Sequence, residues 1–250
     1  MPLVAPALIA AFSVACAGVV TGLTGFGFAL VSVPLLLLVM DPPSVVAAVL
    51  VIGQVTSTVN AITARRHLEA GLLRALLPGA AIGIVLGSFV LRWVDPVVLK
   101  LAAGVLVVLF TALLALYRSG PRRRWPGREH LVGGASGVLM TSVGLSGPPV
   151  VLLTSAILPD KNRSRATLAA YFALTGPLGL ATLLLQRSAP PHAWVAALLL
   201  APVALLGRAL GSRLHRHTPT RAFHAITLGV TLAAGLGGVA SALAAMMAQR

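Results

Sequence analysis

Acidic side chains are nearly missing from this 250-residue chain. Asp and Glu number five. Each of them, Asp41, Glu69, Asp95, Glu129 and Asp160, falls in a loop or at the end of an apolar run. A carboxylate proton relay in the interior therefore has no candidate. Cysteine is reduced to Cys16, which excludes a disulfide within the chain and a cysteine-based metal site. Charged residues of both signs make up 10%, against about 25% in a soluble domain. No Lys or Arg precedes Arg65. The opening MPLVAPALIAAFSVACAG thus lacks the basic region of a secretory signal and reads as a first membrane segment. HExxH, a P-loop and a Ser-His-Asp arrangement are all missing. LHRH at Leu214–His217 reads as a solvated basic loop. Nothing supports enzyme chemistry, a metal site or a cofactor.

What the chain has instead is apolar length. It is 58% hydrophobic, with a mean hydropathy of +0.96. Apolar segments run over roughly 4–40, 43–63, 72–91, 97–117, 131–158, 166–186, 193–212 and 222–247. Runs of about 18 residues or more predict a polytopic all-α membrane protein. A β-barrel would show alternating ten-residue segments, and none occurs. The net charge of +14 would point to nucleic acid in a soluble protein. Here Arg clusters in the short loops between apolar runs, the pattern of positive-inside topology, so anionic lipid is the expected partner and nucleic acid is not.

Two segments are too long for one crossing. The first has roughly 36 residues and the fifth roughly 28, where a simple span takes about 20. Each has a Gly-rich centre, TGLTGFGFA (Thr21–Ala29) and TSVGLSGPP (Thr141–Pro149). They are related by an internal repeat. An offset of 119 puts Gly18 on Gly137 and Gly25 on Gly144. An offset of 124 puts PGAAIGIVLGS (Pro78–Ser88) on PVALLGRALGS (Pro202–Ser212). The expected organisation is an N-terminal repeat over 1–120, a basic cytoplasmic linker over 121–130 and a C-terminal repeat over 131–250.

Loop charge sets the topology. If the fifth segment crosses once, Lys and Arg divide almost evenly between the two sides. If it enters and returns as a hairpin, they gather overwhelmingly on one side, as the positive-inside rule demands. The first segment follows by symmetry. The prediction is two inverted repeats, each a Gly-broken helical hairpin plus three transmembrane helices: eight apolar segments and up to ten helical passes. Each hairpin arm should hold about 12–16 residues, about 18–24 Å.

Broken helices at membrane depth expose backbone N–H and C=O groups, which survive only in protein or beside a wet cavity. Inverted broken helices meeting at the midplane form the usual site of secondary transporters, and their N-termini suit an anion. The candidate site takes Thr24, Gly25, Phe26, Gly27 and Phe28 from the first break. It takes Ser142, Gly144, Ser146, Gly147 and Pro148 from the second. Phe26 and Phe28 would gate or wall it, or simply pack. Gln54, Ser57 and Asn60, spaced by three, roughly share a helix face, and Gln54 and Asn60 join the candidate site. Lining a cavity and gluing helices both remain open for them. Thr175-Gly-Pro177 predicts a kink. Gly83, Gly87, Gly207 and Gly211 read as close-packing glycines. Arg208, Arg163 and Arg165 carry two readings, snorkelling to the interface or attracting an anion at the cytoplasmic mouth.

GLTGFGFALVSVPLL (Gly22–Leu36) and SVGLSGPPVVLL (Ser142–Leu153), in order with the paired PGAAIGIVLGS and PVALLGRALGS segments, make the chain resemble the sulfite exporter TauE/SafE family, also called the 4-toluene sulfonate uptake permease family. The resemblance covers essentially the whole chain. Ala29 and Ser146 stand where a denser glycine run is expected. The resemblance implies a bacterial inner-membrane permease for small anions, sulfite or organosulfonates, with broken helices at Thr21–Ala29 and Thr141–Pro149. Alternating access would be coupled to protons, sodium or the membrane potential alone. A non-transporting accessory or assembly protein and an anion channel are the competing functions.

Overall fold

The computed structural model describes residues 4–24, 27–116, 128–158, 160–214 and 236. Every regular element among the described residues is a helix. In chain order the helices are α1 (Val4–Thr24), α2 (Phe28–Leu36), α3 (Pro42–Ala64), α4 (Ala70–Trp93), α5 (Pro96–Leu116), α6 (Arg128–Ser142), α7 (Gly147–Ile157), α8 (Lys161–Leu185) and α9 (Pro191–Leu214), with a 3₁₀ turn at Arg65–His67 after α3. Six stretches are long and apolar enough to cross a membrane: Ala5–Leu23, Pro42–His67, Ala70–Trp93, Pro96–Leu113, Asn162–Leu185 and Pro191–Leu214. Gly147–Ile157 is a shorter apolar helix. The eighth apolar segment and most of the basic linker lie outside the described residues.

Both over-long segments are broken where the glycines sit. The arms differ from the even hairpins expected. α1 has 21 residues and α2 only 9, about 31 Å against about 13 Å. α6 has 15 and α7 has 11. In the first segment the glycines mark where the helix ends, and packing along α9 accompanies its length. No charged residue and only the single Gly18 stands in the run before Thr21, so the helix continues until Gly is frequent enough to end it.

The few acids are spent on helix ends. Asp41 caps α3, accepting the Ser44 N–H at 3.1 Å and the Ser44 hydroxyl at 2.7 Å. Asp160 caps α8, accepting the Asn162 N–H at 2.8 Å. Asp95 accepts the Val97 N–H at 2.7 Å at the start of α5. A side-chain acceptor there satisfies amides that the helix itself cannot. Glu129 lies in the first turn of α6 and is buried, a helix-end position that the sequence assigned to a loop or segment end.

Two glycine seams hold the bundle. α4 packs on α6, and α1 packs on α9. A Cβ on Gly83 would strike the backbone of Gly134, and one on Gly87 the backbone of Val138. A Cβ on Gly207 would strike the backbone of Ala15, and one on Gly211 that of Val19. From the other side, Gly137 faces Ala80 and Ile84 while Gly18 faces Ala204 and Arg208. Every partner in the second seam is reached from the first by the offsets 119 and 124. Such contacts require glycine, since backbones this close leave no room for a side chain.

α3 and α8 cross between the seams. Pro177 lies inside α8 and has no N–H for the carbonyl of Ala173 four residues back. Gln54 of α3 supplies the missing donor, Nε2 to the Ala173 carbonyl at 3.1 Å.

Side-chain contacts fix which ends lie together. Glu69 pairs with Arg163 at 3.8 Å, and the Glu69 N–H donates to Thr167 Oγ1 at 3.1 Å. The turn after α3 therefore meets the start of α8. Arg208 in the last third of α9 bonds Asn60 near the end of α3. At the other end, Gln186 donates Nε2 to Ser88 Oγ at 2.8 Å. Arg92 donates to the Gln186 carbonyl at 3.4 Å. One end gathers Arg65, Arg66, Arg163, Arg165, Arg208 and Arg213, and the other Arg92 and Arg187.

Candidate functional site

The first break is set by Gly27, whose φ of 92° lies in the left-handed region open to glycine. α2 begins immediately after it with no side-chain cap. The amides of a first helical turn have no partner within the helix, so this end can offer donors. Gly27 and Ala29 are half-buried and Phe28 is buried. Phe28 belongs to the core cluster that includes Val33, Val46, Val143 and Leu145, which supports packing over a free gate. Thr24 closes α1. Gly25 and Phe26 lie outside the described residues.

The second break is set by Gly144, with φ 79°. The Leu145 N–H reaches back to the Leu139 carbonyl at 3.0 Å. Ser136 donates its hydroxyl to the Ser146 carbonyl at 2.7 Å. Ser142 donates to the Val138 carbonyl at 2.7 Å, inside its own helix, so its proton is already used. No side chain caps α7. Pro148 and Pro149 have no N–H, and among the first three residues of α7 only Gly147 brings an amide donor. Space remains there, since a Cβ on Gly147 would meet nothing within 4 Å. Donors are thus unevenly divided, with the richer set at the first break.

The breaks are staggered rather than tip to tip. A Cβ on Gly144 would lie 3.2 Å from Val33 Cγ2 and 3.9 Å from the Val46 Cα. Val33 stands six residues beyond Gly27, more than one turn along α2. The last turns of α1 lie beside Arg208 and Ser212 of α9. Thr141 near the end of α6 donates to the Ile84 carbonyl of α4 at 2.7 Å.

Gln54 and Asn60 do not share a neighbourhood. Each step of three residues falls about 60° short of a full helical turn, so two steps rotate the side chain about 120°. Gln54 faces α8, donating also to Thr58 Oγ1 at 3.0 Å. Its Oε1 is buried without a hydrogen-bond partner among the described residues. Asn60 is 4% exposed and faces α9. Its Oδ1 accepts from Arg208 Nε at 3.0 Å and Nη2 at 2.7 Å. Arg165 donates Nη2 to the Gly22 carbonyl at 3.2 Å. Gly22 joins the two arginines: Arg165 bonds its carbonyl, and its Cα lies against the backbone carbonyl of Arg208.

Tyr171 is a functional candidate that the sequence pattern does not mark. It is fully buried in the cluster that includes Val150 and Val151 of α7, with its hydroxyl next to the Ser136 side chain. A tyrosine inside an otherwise apolar run was the available signal. A cavity of about 450 Å³ lies elsewhere, at the less basic end, lined by Arg92, Gln186, Arg187 and Ser188 among others. No group of three or more metal-ligating side chains occurs among the described residues.

Apolar spans, two glycine-broken helices and polar groups at the breaks define a multi-pass α-helical membrane protein built around interrupted helices. The family model described as "Sulfite exporter TauE/SafE" matches residues 10–237. The chain belongs to that family, and so to a family of membrane transporters. It is 28% identical over 176 residues to a protein of Comamonas testosteroni described as "Probable inner membrane transporter protein TsaS", covering 68% of this chain and 72% of the relative. No solved structure matches the chain.

Proposed function

We propose that the chain is a secondary-active permease of the inner membrane, carrying a small sulfur oxyanion, sulfite or an organosulfonate, by alternating access. The observation that carries this is the pair of helix breaks at Gly27 and Gly144, each opening a short helix with no side-chain cap. Interrupted helices at membrane depth hold ligands in transporters, and a helix start favours negative charge. The described residues contain no basic or acidic side chain within either short helix, so binding there rests on amides and hydroxyls.

The transporting unit is two inverted repeats, 1–120 and 131–250, joined by the basic linker 121–130 on the cytoplasmic side. The matched glycine seams support the repeat. The gathering of arginines at one end of the bundle supports the orientation. The anion sits in the space between the staggered breaks, near Thr24, Gly25, Phe26, Gly27 and Phe28 on one side and Ser142, Gly144, Ser146, Gly147 and Pro148 on the other. Coupling to a proton or sodium is one drive. The membrane potential alone is another, since a monovalent anion leaving the cytoplasm gains about 2.3 kcal/mol per 100 mV.

Proteoliposomes loaded with labelled sulfite or a labelled organosulfonate test this reading. Saturable flux with counterflow is expected. Linear flux without counterflow would make the protein a channel. No flux of any anion, together with no anion-dependent thermal stabilisation, would make it an accessory protein. A bound anion at 100 times its Kd should add about 2.7 kcal/mol.

A further inference from the structure

We propose that Arg165 and Arg208 form a two-guanidinium seat for the transported oxyanion at the basic end of the bundle, with Asn60 as the positioning residue for Arg208. The inference rests on the anion-permease reading and assigns the charged ligands which that reading lacks.

Neither arginine pairs with an acid among the described residues. The whole chain holds five carboxylate side chains. Asp41, Asp95 and Asp160 accept helix-start amides, and Glu69 pairs with Arg163. Glu129 is buried in the first turn of α6 and forms no ion pair with either arginine among the described residues. What holds the two guanidiniums is neutral oxygen. Arg208 gives Nε and Nη2 to one amide oxygen of buried Asn60, and Arg165 gives Nη2 to the Gly22 carbonyl. Neutral acceptors fix the direction of a guanidinium without cancelling its charge.

The arrangement is not that of snorkelling arginines. A snorkelling side chain extends toward the headgroups. Arg208, six residues before the end of α9, instead reaches across to α3, and Arg165 reaches across to α1. Both side chains are half-buried. Like charges held together in a partly desolvated place are costly unless an anion lies between them. Arg208 Nη1 and the Nε and Nη1 of Arg165 make no hydrogen bond among the described residues, and they remain for a ligand. A planar fork suits an oxyanion with two or three equivalent oxygens. Gly22 lies in the last turn of α1, the helix that ends at the first break.

Sulfonate, sulfite and the phosphate of a lipid headgroup share this chemistry, and the test separates them. Full-length protein in nanodiscs of phosphatidylcholine alone is titrated with sulfite and with 4-toluenesulfonate. Wild type is expected to bind at least one of them. Arg165→Gln and Arg208→Gln are each expected to weaken binding about tenfold or more, the loss of a charge-assisted hydrogen-bonding group. Asn60→Asp is the sharper variant. It is nearly isosteric, keeps both bonds from Arg208, and supplies the missing counter-charge. It should leave the protein folded and at least as heat-stable, yet abolish binding; a merely structural Asn60 would leave binding intact. Arg208→Lys, which retains the charge, should retain part of the affinity.

If wild type binds the anions and all three neutralising variants bind as tightly, the seat is wrong while the permease reading stands. If wild type binds no anion, both fall. If the variants lose only co-purifying phosphatidylglycerol and keep sulfite affinity, the pair is a lipid site and the proposal is overturned.

Discussion

Gln54 of α3 donates its side-chain amide to the carbonyl of Ala173 in α8, the residue exactly one repeat offset, 119 positions, further along the chain. A residue bonded to its own counterpart lies where the two halves of the sequence meet. The bond also repairs a local defect, because Pro177 leaves that carbonyl without its helical donor.

The repair predicts a coupling. Gln54→Leu should leave the Ala173 carbonyl unsatisfied and cost about 1–3 kcal/mol. Pro177→Ala restores a backbone donor to the same carbonyl. In the double variant most of the Gln54→Leu loss should vanish. Denaturation of the four proteins in detergent measures the cycle, and simple additivity would show that the bond does not carry the effect.

The two glycine seams should respond alike. Gly83→Ala and Gly207→Ala each drive a methyl into a backbone carbonyl, of Gly134 and Ala15 respectively. Each should destabilise by about 1–3 kcal/mol. Gly53→Ala is the control within a helix, since nothing lies within 4 Å of its Cβ position. It should be neutral or gain about 0.5–1 kcal/mol from helix propensity. Melting temperatures at matched detergent concentration decide the comparison.

The second break separates backbone demand from space. Gly144 needs a left-handed φ and lies against Val33, while Gly147 has open surroundings. Gly144→Ala should cost about 1–2 kcal/mol and depress transport. Gly147→Ala should preserve the fold, so any loss of flux reports on the space beside α7 rather than on folding. Transport per folded molecule, with abundance measured in parallel, gives the distinction.

The end-to-end contacts predict labelling. With Cys16 replaced by Ser, single cysteines at Asn162 and His67 should react from the same side of the membrane, since Glu69 binds both Arg163 and Thr167. A cysteine at Ser188, beside the Ser88–Gln186 contact, should react from the opposite side. An impermeant thiol reagent on oriented vesicles reads this directly. Asn162 and Ser188 labelling from one side would reject the topology.

The breaks and seams were legible because glycine spacing carries local information. Gly-x3-Gly on an apolar helix announces close backbone contact, and Gly83, Gly87, Gly207 and Gly211 all make it. The lengths of the arms were less legible. A glycine cluster marks where a helix can end, but the extent of α1 depends on its packing along α9. The pairing of Asn60 with Arg208, 148 residues apart, has no local pattern at all. It arises from how α3 crosses α9, and a periodicity of three on α3 pointed instead to a face shared with Gln54. The last segment and the central loop add nothing to this comparison, since they lie outside the described residues.

The seams also constrain how the molecule can change shape. Where a backbone carbonyl rests on a bare Cα, neither helix can slide without a main-chain collision, so α1 with α9 and α4 with α6 behave as two bonded plates. The two plates are joined through the α3–α8 crossing, so a relative displacement of one against the other would fall there, across the Gln54 amide bond.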